Sequence, residues 1–167
     1  EQRWFASGAS VNETEVHDAL GTFHIRVDQL FRLGDALVGA EICEDLWAPV
    51  NPGTHAALAG SNIVCNLSAS NELVSKSDYR EDLVRMTSAK SFCAYVYAGA
   101  GVMESTKDVV FGGHCLIAEA GQLLAQSKRF ELSPQAVIGD VDLQRLQHDR
   151  AQNTTFAQMP RPRAYRI

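Results

Sequence analysis

The chain of 167 residues is long enough for one domain with a sizeable core, and its content of 46% hydrophobic and 21% charged residues is typical of soluble globular proteins. Its formal net charge of -5, without a basic stripe, argues against a nucleic-acid partner. No apolar run reaches the roughly 18–20 residues needed to span a bilayer, so we expect no membrane partner.

The cysteines are Cys43, Cys65, Cys93 and Cys115. They form no CxxC pair, and no histidine stands at ligand spacing from a carboxylate, so we expect no metal site. All except Cys43 lie within apolar runs, where a cysteine is predicted to be a small core residue. Reduced thiols of this kind indicate a cytoplasmic protein.

The secondary structure is predicted in chain order from apolar runs, turn residues and helix caps. The polar residues 1–21 are predicted to form a loop. The predicted strands cover residues 22–27, 29–32, 36–42, 61–67, 94–98, 115–118, 123–126 and 136–141. The predicted helices begin near Asn51, at Ser77 or Asp78, and at Asp142, and they end near residues 59, 92 and 150. Strands that alternate with helices, followed by a hairpin, predict one α/β domain.

Cys43 ends the apolar run of residues 36–42 and is followed by the acidic Glu44 and the aromatic Trp47. Reactive groups gather at the carboxyl ends of strands in α/β sheets, and the backbone N–H after such a thiol can stabilise an oxyanion. Neighbouring carboxylates disfavour a thiolate, so a cation is required, and the sequence shows no obvious one near Cys43. Spacing alone leaves two roles open, a catalytic nucleophile and a buried structural cysteine.

Three further polar stretches could contact a ligand. Residues 66–71 (NLSASN) follow a buried strand, where turn chemistry is the more common role and ligand binding is the alternative. Lys76 and Arg80 lie one helical turn apart, either as a surface pair or as an anion site. Residues 104–108 lie in a long loop that could act as a lid or contact a partner.

Several blocks, in order along the chain, resemble the nitrilase superfamily in the version carried by the glutaminase domain of glutamine-dependent NAD+ synthetases. The nucleophile turn of that family is similar to residues 39–47 (GAEICEDLW). The other matching blocks are residues 66–70 with Lys76 and Arg80, residues 94–101, residues 104–108, residues 139–143 and residues 150–156. The resemblance covers nearly the whole chain and depends on the agreement of all these blocks.

The resemblance implies an α/β fold of the nitrilase type, an α-β-β-α sandwich. It also implies glutamine hydrolysis through a thioester on Cys43, with the N–H of Glu44 and a family lysine holding the oxyanion. Glu44 and Trp47 match positions that line the glutamine pocket, and Ser70 matches a ligand of the glutamine backbone groups. Lys76 stands where some members carry arginine, as the expected partner of the substrate α-carboxylate. Whether Lys76 or Arg80 holds that carboxylate stays open.

Glu1 resembles the second glutamate of the family, and the catalytic lysine and general-base glutamate are expected before it. Residues 1–156 are therefore expected to be the C-terminal half of a glutaminase domain, with residues 157–167 as a linker toward a separate synthetase domain. That domain would use ATP and Mg²⁺ to amidate deamido-NAD with the released ammonia, whereas no cofactor is expected in this segment. The segment alone is expected to be inactive, and family members commonly form homo-oligomers.

Two alternatives to this function stay open. A stand-alone nitrilase-family amidase or carbamoylase would keep the fold and change the substrate, although the Glu-Asp-x-Trp turn after Cys43 argues against it. A non-catalytic association module would use the exposed apolar faces of a half-domain to bind a partner.

Overall fold

The computed structural model describes residue 8, residues 13–160 and residues 164–167. The strands are β1 (Thr14–Asp18), β2 (Gly21–Ile25), β3 (Phe31–Leu33), β4 (Ala36–Ile42), β5 (Ile63–Ser68), β6 (Ala94–Gly99), β7 (Cys115–Glu119) and β8 (Gln122–Gln126). The helices are α1 (Pro52–Leu58), α2 (Lys76–Ser91), α3 (Leu143–Gln152) and α4 (Thr154–Ala157), and short 3-10 helices span Cys43–Trp47 and Val102–Glu104.

The central sheet has the strand order β3-β4-β5-β6-β7-β8, and β1 pairs with β2 in a separate hairpin. Strands β4, β5 and β6 are parallel, and the pairs on either side of them are antiparallel. The connections between the parallel strands contain α1 and α2. Because these crossovers return the chain to the same starting edge, the carboxyl ends of β4, β5 and β6 lie side by side.

Helices α1 and α2 pack on one face of this sheet. The core on that face includes Val64, Tyr95 and Leu116 from the strands, and Val84 from α2 packs against them. Successive strand residues point to opposite faces, and the other face carries less buried apolar side chains such as Leu67. An α-β-β-α sandwich consists of two sheets packed face to face, each covered by helices on its outer face. The helices and the sheet of this chain correspond to one helix layer and one sheet of such a sandwich.

The cysteines divide between the two faces of the sheet. Cys93 is fully buried in the helix-facing core, as predicted. Cys65 and Cys115 are only half-buried, since each neighbours a core residue along its strand and therefore points to the opposite face. All of these thiols, including that of Cys43, are free.

The predicted α/β class is confirmed, and so are several elements. Strand β4 spans the predicted residues 36–42. The side chain of Asn51 caps α1 by accepting a hydrogen bond from the N–H of Thr54 at 2.9 Å. Asp142 caps α3 in the same way through the N–H of Arg145, also at 2.9 Å. These caps satisfy N–H groups that have no partner within a helix, which explains why they can be recognised locally.

Three predictions of secondary structure are wrong. Thr14–Asp18 forms a strand where a loop was predicted, because it pairs with β2. Helix α2 begins at Lys76 after Ser75, so neither Ser77 nor Asp78 is its cap. Residues 136–141 form no strand: Ile138 is 90% exposed, and the segment joins no ladder within the described residues. A short apolar run without a hydrogen-bonded neighbour does not make a stable strand.

Residues 164–167 lie within the segment that was predicted to be a linker. The N–H of Arg166 donates to the carbonyl of Asp28 at 3.0 Å, and the N–H of Leu30 donates to the carbonyl of Arg166 at 2.8 Å. These contacts form a parallel bridge between Gln29 and Arg166. In the described part of the chain, no helix has both the length and the apolar content needed to cross a membrane.

Candidate active site

The turn after β4 holds Cys43 in an uncommon backbone conformation. Cys43 has a φ of +47°, in the left-handed region that residues other than glycine rarely adopt. The carboxylate of Asp45 accepts a hydrogen bond from the N–H of Ile42 at 2.8 Å, which closes the turn around Cys43. Left-handed conformations of this kind cost about 1–3 kcal/mol and cluster at active sites, where the surroundings enforce them. The turn places Cys43 at the sheet edge where the three parallel strands end.

A buried polar cluster lies beneath this turn. The carboxyl group of Glu41 accepts hydrogen bonds from the hydroxyl of Tyr95, from the amide of Asn66 at 3.3 Å, and from the N–H of Gly53 at 2.6 Å. Burial raises the pKa of Glu41, and these hydrogen bonds oppose the shift. Burial and the neighbouring Glu41 raise the pKa of Tyr95, so its hydroxyl keeps the proton that it donates.

Gly53 allows this cluster to form at the start of α1. A Cβ at residue 53 would lie 2.7 Å from the Glu41 carboxylate oxygen and 2.9 Å from the Val64 side chain. Real Cβ atoms do not approach so closely, and therefore only glycine lets its N–H reach the carboxyl group. The first N–H groups of a helix have no partner within the helix and suit a carboxylate acceptor.

Helix α2 brings a cation toward Cys43. The Nζ of Lys76 lies 5.6 Å from the ring centroid of Trp47 and donates to the side-chain oxygen of Asn71 at 2.8 Å. Burial and then the charge of Arg80 lower the pKa of Lys76, while the nearby Cys43 opposes the shift. The sequence shows no obvious cation near Cys43, whereas the fold places Lys76 over the ring of Trp47, in the same 3-10 turn as Cys43.

Arg80 lies one turn further along α2 and is only 1% exposed. Its Nη1 donates to the carboxylate of Glu72 at 2.8 Å and to Nδ1 of His114 at 2.9 Å. Its Nε and Nη2 have no hydrogen-bond partner among the described residues. Arg80, Glu72 and His114 line a small cleft together with Ser70 and Tyr97, so a buried cation with free donors faces this cleft.

His114 has a defined protonation state in this cleft. Arg80 always donates, so Nδ1 of His114 must accept, and the ring proton resides on Nε2. Nε2 lies 2.8 Å from Nε2 of Gln126, and we assign the Gln126 amide with its oxygen turned toward the ring, in place of the 3.3 Å contact of its nitrogen with Glu81. Burial, reinforced by the charge of Arg80, lowers the pKa of His114 from 6.5 to about 4.

We expect the lowered pKa of His114 to make the protein less stable in mild acid. Between pH 6.5 and about 4 the unfolded chain binds a proton at this residue and the folded chain does not. The free energy of unfolding should therefore fall by about 3 kcal/mol as the pH drops through this window. Urea denaturation of the intact protein at pH 7 and pH 4.5 measures the change in the free energy of unfolding. In His114→Gln, the part of this change that comes from the titration of His114 should disappear. An unchanged pH dependence in His114→Gln would contradict the assignment.

The predicted site residues are distributed as follows in the structure. Cys43, Trp47 and Lys76 lie together, whereas the side chain of Glu44 is exposed. Ser70 lies in the cleft with Arg80. Glu1 lies outside the described residues.

The residues that the sequence did not single out are Glu41, Glu72, Tyr95 and His114, whereas Asn66 was noted as the start of the polar stretch of residues 66–71. A carboxylate within the otherwise apolar run of residues 36–42 was a usable clue to Glu41, because buried charges require partners. The contacts of the other residues come from distant parts of the chain and left no local pattern. No group of three or more histidine, cysteine or acidic side chains is placed to hold a metal ion within the described segments.

The family model and the relatives of known name that match this chain agree with each other. A family model described as carbon-nitrogen hydrolase matches residues 4–151. The chain is 37% identical over 163 residues to the glutamine-dependent NAD(+) synthetase of Mycobacterium leprae, covering 93% of this chain and 23% of that protein. The chain thus spans about one fifth of the length of the curated relatives that it matches.

Solved structures agree with this family. The structure is similar to a glutamine-dependent NAD(+) synthetase from Cytophaga hutchinsonii, with a TM-score of 0.68 and 30% identity over 82% of this chain and 22% of that chain. An amidase of the nitrilase superfamily from Nesterenkonia AN1 shares the fold, with a TM-score of 0.57 and 21% identity over 74% of this chain and 45% of that chain. The predicted nitrilase-like fold is thereby confirmed. Because the family model matches most of its length, the chain belongs to the carbon-nitrogen hydrolase family.

Proposed function

We propose that this chain carries the nucleophile and part of the substrate pocket of the glutaminase domain of a glutamine-dependent NAD+ synthetase. The observation that carries the proposal is the left-handed Cys43 at the carboxyl end of β4, with Lys76 of α2 over the ring of Trp47 in the same turn. The names of the Mycobacterium leprae and Cytophaga hutchinsonii relatives support the choice of glutamine among the substrates of the family.

In the proposed reaction, the Cys43 sulfur attacks the side-chain amide carbon of glutamine. The carbonyl oxygen becomes an oxyanion, which the backbone N–H of Glu44 stabilises. The C–N bond then breaks, a proton is transferred to the nitrogen, and ammonia leaves a thioester behind. Water adds to the thioester, the C–S bond breaks, and glutamate and the free thiol are formed. The family resemblance assigns general-base catalysis to a glutamate and a share of oxyanion binding to a lysine, and we place neither role on a described residue.

Lys76 is the better candidate for the substrate α-carboxylate. Arg80 is almost completely buried, and Glu72 already neutralises its charge. Lys76 is partly accessible, and it lies near Trp47, which lines the proposed pocket. We assign the carboxylate to Lys76 and the backbone groups of glutamine to Ser70, with Arg80 supporting the base of the cleft.

The proposal extends to the partners of the chain. Ammonia would pass to a separate synthetase domain that uses ATP and Mg²⁺ to amidate deamido-NAD. We propose a cytoplasmic homo-oligomer, because free thiols suit a reducing compartment and an apolar sheet face suits association.

A diazoketone analogue of glutamine tests the proposal in the intact protein. This electrophile should attach one molecule per chain at Cys43, because only a thiol beside the bound analogue reacts rapidly. Mass spectrometry of proteolytic peptides locates the adduct, and an excess of glutamine should protect Cys43. Equal labelling of Cys65 and Cys115, or no protection by glutamine, would contradict the proposal.

A further inference from the structure

The backbone carbonyl of Cys43 is held by a buried side chain. The amide nitrogen of Asn66 lies 3.3 Å from this carbonyl oxygen and donates to it. Asn66 is fully buried, on the helix-facing side of β5. The same nitrogen lies 3.1 Å from the hydroxyl of Tyr95 and 3.3 Å from the carboxyl of Glu41. The backbone of the proposed nucleophile is therefore joined to the polar cluster beneath the turn.

This contact, together with the 3-10 turn that begins at Cys43, fixes the direction of the next N–H group. The carbonyl of Cys43 and the N–H of Glu44 belong to one peptide unit, which is planar and trans, so the two groups point in opposite directions. Asn66 draws the carbonyl inward, toward the buried cluster. The N–H of Glu44 therefore points away from the buried cluster.

The cluster is suited to holding this orientation. Asn66 is itself held by Glu41 and Tyr95, and Glu41 is anchored at the start of α1 through the N–H of Gly53. Glu41 is 2% exposed and Tyr95 is completely buried, so water does not compete for their hydrogen bonds. A residue such as Cys43, with a positive φ, needs support of this kind, because its backbone would otherwise relax to a more favourable conformation.

We propose that Asn66, supported by Glu41 and Tyr95, is a positioning residue that fixes the Cys43–Glu44 peptide with its N–H directed at the oxyanion. The inference rests on the proposed function, since the oxyanion forms only if Cys43 attacks an amide. It assigns to the three buried residues an effect on the reaction that passes entirely through the backbone of Cys43.

The test is Asn66→Ala in the intact protein. Loss of one oxyanion donor costs about 10²–10³ in kcat, and we expect a decrease of at least about 10-fold, with KM for glutamine changed less than about threefold. Alkylation of Cys43 by iodoacetamide should change less than about threefold, because displacement at a saturated carbon forms no oxyanion. The predicted result is that kcat for glutamine hydrolysis falls while the rate of Cys43 alkylation stays nearly the same.

Asn62→Ala is the matched control. Asn62 precedes the same strand and is 2% exposed, and its side-chain oxygen accepts from the N–H of Leu37 at 2.8 Å. It lies at the opposite end of β5 from the turn of Cys43. This variant should lower the free energy of unfolding as Asn66→Ala does and leave kcat unchanged.

Tyr95→Phe provides a second variant that keeps the ring in the core and removes only the hydroxyl. It should lower kcat in the same direction as Asn66→Ala, and it decides the question if Asn66→Ala does not fold. An unchanged kcat in the folded variant would overturn the inference, and so would an equal loss of kcat and of alkylation. Failure of the proposed function is distinct: it would appear as an active Cys43→Ala variant.

Discussion

Replacing Cys43 with alanine should lower glutamine hydrolysis by the intact protein at least about 10⁴-fold, since removal of a nucleophile is among the most damaging single changes to an enzyme of this type. In the proposed reaction, the Cys43 sulfur is the atom that forms the thioester. No neighbouring side chain takes its position in the left-handed turn. Release of ammonia from glutamine, followed by a coupled assay, measures the effect. NAD formation with added ammonium salt should persist, because this route bypasses the glutaminase step.

Cys65→Ala is the control for this prediction. Its thiol points to the face of the sheet opposite α1 and α2, and burial raises its pKa, so it is a poor nucleophile. The variant should retain its activity with glutamine. If Cys43→Ala continues to release ammonia, or if Cys65→Ala loses activity while remaining folded, the assignment of Cys43 is wrong.

Replacing Glu72 with alanine should lower the free energy of unfolding by about 3–5 kcal/mol, since a buried charge loses its partner. Arg80 is 1% exposed and Glu72 is 7% exposed at its side chain, with 2.8 Å between them. Without Glu72, the guanidinium keeps the contact with His114 and lacks a counter-charge in the cleft. Urea denaturation of the intact protein measures the change.

Two variants make this prediction specific. Glu81→Ala removes an acid of α2 whose contact with Arg85, at 3.7 Å, is partly exposed, so its effect should stay below about 1 kcal/mol. The double variant Glu72→Ala with Arg80→Met should be more stable than Glu72→Ala alone, because no unpaired charge is then buried. Equal effects of Glu72→Ala and Glu81→Ala would contradict a buried ion pair.

Local patterns in the sequence were sufficient for much of the fold. The apolar run of residues 36–42 predicted β4 with its observed bounds, and the hairpin of β7 and β8 followed from the turn at residues 119–122. Asn51 and Asp142 were recognisable near helix starts because each bonds an N–H three residues ahead. The family resemblance added the sandwich architecture and drew attention to Cys43.

The sequence failed where an element or contact depends on a distant neighbour. Residues 136–141 are mostly apolar but join no ladder in the described chain, and Thr14–Asp18 is a strand only through its pairing with β2. Periodicity reports which face of an element is apolar, and it does not report whether a partner strand lies beside it.

By itself the sequence determined most strands of the central sheet, the main helices and the position of Cys43 at a strand end, because these follow from interactions within a few residues. Only the tertiary structure decided what surrounds Cys43. Glu41 and Tyr95 are 54 residues apart, and they meet because β4 and β6 lie on either side of β5 in the parallel part of the sheet. Lys76 lies over the Trp47 ring, in the turn that begins at Cys43, because the crossover between β5 and β6 contains α2. These approaches depend on how the layers pack, which no local pattern of residues records.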